Sequence, residues 1–191
     1  NVRRVRERVG GRGGGGYGLL AGAGPRAKKR MPGLVDRFPA RATTRGSLVP
    51  MVTSPGLVPD VANRAAAMRA LHLKTDRPVV VLCPGAEFGA AKRWPPNQFA
   101  ELAAMFLHDG LQVWIIGSPN DRIAADAVLN SLGDKVNKVR DLTARTDLGT
   151  AVDMLSAASV VISNDSGLMH AAAAVGVPLV ALFGSSSPLY T

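Results

Sequence analysis

Val160-Val161-Ile162-Ser163-Asn164-Asp165-Ser166-Gly167-Leu168-Met169-His170, running on into four alanines at 171–174, is the stretch whose reading decides the fold. Four residues of a short apolar run predict a buried strand. The polar Asn-Asp-Ser-Gly word predicts a tight turn, and the small-residue run predicts a helix. In an open α/β sheet that turn falls at the carboxyl edge, where such folds bind ligands. A helix starting there presents unpaired backbone N–H groups and the positive end of its dipole, which suits a phosphate. Ser166 and His170, four apart, share a helix face. Asp165 adds a carboxylate able to accept hydrogen bonds from sugar hydroxyls. One turn therefore offers groups for both halves of a nucleotide-sugar. A plainer reading stays open beside this one: Ser166 or Asp165 as an ordinary N-cap, and His170 as a structural histidine.

Working outward, the same alternation recurs. Val79-Val80-Val81-Leu82 reads as a strand buried on both faces. Phe99, Leu102, Ala103, Phe106 and Leu107 recur at helical spacing after Pro96, with Gly110 as the expected stop. Leu111 to Ile116 is the next strand, Asp121 to Leu132 a helix, and Val136 to Leu142 holds a short strand. Leu148, Ala151, Val152 and Leu155 mark a helix, and Leu179 to Phe183 a last strand. This order predicts an α/β fold: a Rossmann-like parallel sheet with helices on both faces. Two further loops then fall on the carboxyl edge. Pro84 to Pro95 carries Gly85 and Gly89, which allow close backbone approach, and Lys92, a mobile cationic donor for phosphate. Leu182 to Pro188 is rich in Gly and Ser and suits either a phosphate site or an ordinary turn.

Charge divides the chain. Residues 1–77 hold 16 Lys and Arg against four acids, a balance of +12, whereas residues 78–191 hold seven against ten, a balance of −3. The Gly/Arg/Pro-rich composition of 1–77 predicts a largely disordered basic segment, with one helix expected between Asp60 and Leu73. Charge alone allows that segment to bind nucleic acid or an anionic surface. It lacks interleaved aromatics, so no specific nucleic-acid partner is expected. Cys83 is the single cysteine, which precludes an internal disulfide and fits a reducing compartment. No apolar run spans a membrane, and the N-terminus lacks the apolar centre of a secretory signal. Cys83, His72, His108 and His170 are scattered, so no metal site is expected. No Gly-x-x-x-x-Gly-Lys-Ser/Thr loop occurs, and the glycines at 10–16 follow no strand. Asp165, Ser166 and His170 sit side by side at a helix start and so do not form a hydrolase relay.

Three words carry a resemblance: Pro-Gly-Ala-Glu-Phe-Gly-x-Ala-Lys-Arg-Trp-Pro at 84–95, Asn-Asp-Ser-Gly-Leu-Met-His at 164–170, and Pro-Leu-Val-Ala-Leu-Phe-Gly-Ser-Ser-Ser-Pro at 178–188. In this order and spacing, over about residues 78–191, the chain resembles the ADP-heptose:lipopolysaccharide heptosyltransferases of glycosyltransferase family 9, their heptosyltransferase II branch most closely. The resemblance implies a two-domain GT-B enzyme, with 78–191 as its C-terminal donor domain. It implies an inverting transfer of heptose from ADP-heptose to the inner core of lipopolysaccharide, with neither metal nor cofactor. It also implies a cytoplasmic enzyme at the inner membrane face of a Gram-negative bacterium, with peripheral membrane contact. Lys92 resembles the family's diphosphate-contacting lysine, and Glu87 lies in the loop bordering the phosphates. Asp165, Ser166 and Gly167 resemble the donor-binding turn. His170 takes the family's histidine position, and Thr146 falls where the nucleotide pocket is lined. The acceptor site and its general-base aspartate belong to the N-terminal domain, which 1–77 does not supply, although Gly18-Leu19-Leu20 and Leu34 to Phe38 faintly resemble the region just before the donor domain. The expectation is thus a fragment with no catalytic residue of its own, truncated at its C-terminus. Another GT-B nucleotide-sugar transferase is the alternative enzyme.

Overall fold

The computed structural model describes residues 56–87 and 90–186. The basic segment up to residue 55, Gly89, and Ser187-Pro188 of the last motif lie outside the described residues. Five strands form one sheet: β1 Val79–Cys83, β2 Gln112–Ile115, β3 Val139–Asp141, β4 Val160–Asn164 and β5 Leu179–Leu182. Their spatial order is β3-β2-β1-β4-β5, and every pairing is parallel. Register is tight at the centre, where Val81 lies opposite Trp114 on one side and Val161 on the other.

Why β1 is central follows from its residues. All five are buried, and the pleat sends alternate side chains to opposite faces. Val79, Val81 and Cys83 join a cluster with Trp114, Leu142, Met154 and Leu155. Val80 and Leu82 join another with Phe99, Val113, Ile115 and Val128. Each fully buried aliphatic side chain contributes about 1.5–3 kcal/mol, so a charge at Val81 would be ruinous. Helices α2 Pro96–His108 and α3 Arg122–Ser131 cover the second face. The first face is covered by α1 Val61–Ala70, α4 Leu148–Leu155 and α5 Gly167–Val175. Pro96 opens α2, where its missing N–H costs nothing, and Gly110 ends it in the left-handed region at φ 80°.

The expected elements are present with ends shifted by one to three residues. Upstream of residue 78, helix α1 and Leu73 pack against the sheet. Pro55–Ser186 clusters as one unit. Asp60 caps α1 by accepting from the amides of Ala62 and Asn63 at 2.8 and 3.0 Å. Ala67, Met68, Leu71 and Leu73 pack on the first core cluster. Composition averaged over 1–77 hid this, because α1 contributes little apolar surface of its own and has no fully buried residue. It is held instead by polar contacts to α4. The buried Asp153 accepts from the Asp60 amide at 2.7 Å and from Asn63 Nδ2 at 2.6 Å.

The order of the strands has one functional consequence. The chain turns one way from β1 to β2 and β3, and the other way from β4 to β5. The crevice outside the carboxyl ends of β1 and β4 is therefore the switch point at which doubly wound sheets bind nucleotides.

Candidate functional site

The β1–α2 loop and the β4–α5 turn meet at that switch point. Lys92 Nζ donates to Asp165 Oδ2 at 2.8 Å. The carboxylate is 7% exposed and the lysine 27%. Burial pushes the Asp165 carboxyl up, but the Lys92 ammonium, with a weaker attraction from His170, outweighs it and holds the group below the ordinary carboxylate value. The Ser186 hydroxyl is buried and has no hydrogen-bond partner among the described residues, so the lysine dominates that balance.

Ser166 is the N-cap of α5 by backbone geometry, yet its hydroxyl makes no capping bond. It lies 3.2 Å from the Ser163 hydroxyl instead. The simple capping reading therefore fails here. The first turn of α5, beginning at Gly167, keeps its amide donors without a side-chain cap.

Beside this turn opens a cleft of about 510 Å³. It is lined by the ends of four strand–helix connections: Cys83 and Gly85 to Glu87 after β1, Gly117 to Pro119 and Asp121 after β2, Thr146 to Leu148 after β3, and Ser166 to Leu168 after β4. Its floor is apolar. Burial, followed by the nearby Asp121 charge, pushes the Cys83 thiol up to about 12, so it stays neutral there. The rim is acidic, carrying Glu87, Asp121 and Asp147, which are groups that accept hydrogen bonds from hydroxyls. The cleft thus fits an uncharged, partly apolar ligand half, and the Lys92 side fits an anionic one.

Of the predicted residues, Glu87, Thr146, Ser166 and Gly167 line the cleft. Lys92 and Asp165 form the adjoining ion pair, and His170 is exposed one helical turn beyond Ser166. The Thr146 hydroxyl is buried and unpartnered among the described residues. Gly85 lines the cleft, and its missing side chain also makes room for Asp121, which sits where a Cβ would stand. The Gly184 turn likewise backs the lysine loop, with the Ala91 carbonyl 2.6 Å from where a Cβ would stand and the Ser185 amide donating to that carbonyl at 3.3 Å.

Two residues escaped the sequence reading. Asp121 looked like the start of a helix. It in fact accepts from the Ser118 amide and hydroxyl at 2.8 and 2.7 Å and faces the cleft. Asn164 was visible inside its motif, but its partners are distant in sequence.

The family model described as glycosyltransferase family 9 (heptosyltransferase) matches residues 12–191. The chain belongs to glycosyltransferase family 9. The match reaches well upstream of residue 78, so the family likeness includes most of the basic segment that the motifs alone left out. Lipopolysaccharide heptosyltransferase 2 of Salmonella typhimurium is 38% identical over 98% of this chain and 56% of its own length. The Escherichia coli protein of the same name gives the same identity and coverage. The solved structure of E. coli ADP-heptose lps heptosyltransferase II superposes with a TM-score of 0.78 at 38% identity, over 86% of this chain and 52% of that one. The sheet is thus that of a GT-B heptosyltransferase. The chain spans little more than half the length of these relatives.

Proposed function

We propose that this chain carries the donor-binding site of a lipopolysaccharide heptosyltransferase that takes ADP-heptose. The observation carrying this reading is the Lys92–Asp165 pair beside the uncapped start of α5, at the mouth of the switch-point cleft. Adenosine would occupy the cleft, with ribose hydroxyls against Asp121 or Glu87. The diphosphate would lie at the amides of Ser166-Gly167. An ammonium has three donors; one serves Asp165 and two are left for phosphate oxygens. Asp165 and His170 would border the heptose.

In the transfer, an acceptor hydroxyl on the lipopolysaccharide core attacks the anomeric carbon and inverts it. The bond from that carbon to the diphosphate oxygen breaks, ADP departs, and the hydroxyl proton passes to a carboxylate of the acceptor-binding half. The described residues supply charge stabilisation for the leaving ADP, through Lys92 and the α5 amides, without a metal. Preorganised donors of this kind contribute about 3 kcal/mol each. The named relatives act on lipopolysaccharide, so the working location in this reading is the cytoplasmic face of a Gram-negative inner membrane, with peripheral contact. No described helix is long and apolar enough to cross a membrane.

Calorimetric titration tests the reading. ADP-heptose should bind and UDP-sugars should fail to displace it, which separates this donor from those of other GT-B transferases. Lys92→Ala should weaken ADP-heptose at least about tenfold, the scale of one charge-assisted hydrogen bond. Unchanged affinity in the variant would reject the role of Lys92.

A further inference from the structure

Asn164 is fully buried at the last position of β4, next to Asp165. Its side chain is spent entirely on the loop that carries Lys92. Oδ1 accepts from the Trp94 amide at 3.0 Å, and Nδ2 donates to the Pro84 carbonyl at 2.8 Å. Pro84 and Trp94 are the two ends of that loop, ten residues apart in sequence. One side chain therefore closes the loop at its base. The asparagine amide suits this because its acceptor and donor are separate atoms side by side on one short planar group. A carboxylate only accepts and an ammonium only donates, while a serine hydroxyl does both from a single, shorter-reaching oxygen that cannot meet two partners placed for Oδ1 and Nδ2.

We infer that Asn164 is a positioning residue for the donor diphosphate: it locks the Pro84–Trp94 loop so that Lys92 stands against the β4 turn. The inference rests on the reading of Lys92 as a phosphate ligand. Asn164 is buried and is not among the residues lining the cleft. Its neighbour Asp165 receives the Lys92 ammonium at the loop's far side, and Ser185 holds the turn at Ala91. The Lys92 turn is thus gripped from three points, and Asn164 is the one that spans both loop ends. Lys92 is two residues from Trp94, so a shift at the Asn164 contact is passed to the lysine. A displacement of about 1 Å is enough to spoil productive geometry.

The test is a double-mutant cycle on the full 191-residue chain, read by titration with ADP and with adenosine. Asn164→Ser should lower ADP affinity about tenfold and adenosine affinity by clearly less, since Glu87 rides on the same loop but Lys92 serves only the diphosphate. In the Lys92→Ala background the same change should cost less than about twofold for ADP, because the group being positioned is gone. Equal losses for ADP and adenosine, or full additivity with Lys92→Ala, would overturn the inference by showing a merely structural role. Amide hydrogen exchange supplies the second measurement. The Trp94 amide of the unmodified chain should be protected without ligand, and in Asn164→Ser the loss of protection should be confined to the loop. Fast exchange at Trp94 in the unmodified chain, or loss spread across the sheet, would refute it. Should the unmodified chain not bind ADP at all, the donor-site reading fails by itself, while Trp94 exchange still decides whether Asn164 locks the loop.

Discussion

Replacing Lys92 by alanine should do more than remove a phosphate ligand: it should reverse the pH dependence of one buried carboxylate. In the native pair, burial and the ammonium act on Asp165 in opposite directions, and the ammonium prevails. Its folded-state pKa thus lies below the unfolded value of 3.8. The unfolded chain holds the proton longer, so this contribution to stability is present above pH 3.8 and lost as pH falls through the depressed folded value. Without Lys92, burial is left as the larger influence on a side chain only 7% exposed, and the folded pKa rises above 3.8. The variant should then lose stability as pH climbs from about 4 to about 6, where the native chain has already gained it. Lys92 is 27% exposed, so solvent screening discounts the full cost of an unpaired buried charge. That leaves about 1–2 kcal/mol near pH 7. For a unit of this size that is about 3–8 °C in Tm. The assay is thermal unfolding of both chains at half-unit steps from pH 3 to 8. The difference in Tm should be smallest at pH 3 and widen to a plateau by about pH 6. Two curves separated by a constant offset would show that Asp165 is not coupled to Lys92, and the charge argument would be refuted.

Three further outcomes follow from contacts in the site and its supports. Gly184→Ala places a Cβ 2.6 Å from the Ala91 carbonyl, a backbone atom that cannot rotate away. The Lys92 turn should shift, costing about 1–3 kcal/mol, and titration should show ADP weakened more than adenosine. Gly85→Ala collides with the Asp121 carboxylate and should break its two bonds to Ser118. The fold should survive by circular dichroism, while adenosine affinity falls about tenfold or more if Asp121 holds the ribose. Asp153→Ala removes the acceptor shared by the Asp60 amide and Asn63. Hydrogen exchange should then rise along Val61–Ala70 with a loss of about 1–3 kcal/mol, leaving β1 and β4 protected.

The lysine loop and the Asn-Asp-Ser-Gly turn were legible as ligand groups because their chemistry is local. A cation, a carboxylate and a helix start are identifiable wherever they fall. Their meeting was legible only as an expectation from sheet topology. The 2.8 Å contact between Lys92 and Asp165 spans 73 positions, and nothing in either segment's spacing specifies it. Helix α1 was expected at Asp60 to Leu73, but its attachment was not, because Asp153 lies 90 residues from Asn63.

Hydrophobic periodicity was therefore enough to place the strands and helices and to require a sheet buried on both faces, since apolar runs such as Val79 to Leu82 leave no face for water. It was not enough to say which polar side chain closes which loop. Asn164 was visible in its motif and Asp121 as a helix start, but their roles exist only once parallel pairing sets the ends of β1, β2 and β4 side by side. Burial is averaged along the chain and can be read from it, whereas hydrogen-bond partnership depends on distances of a few tenths of an ångström that only the packed sheet supplies.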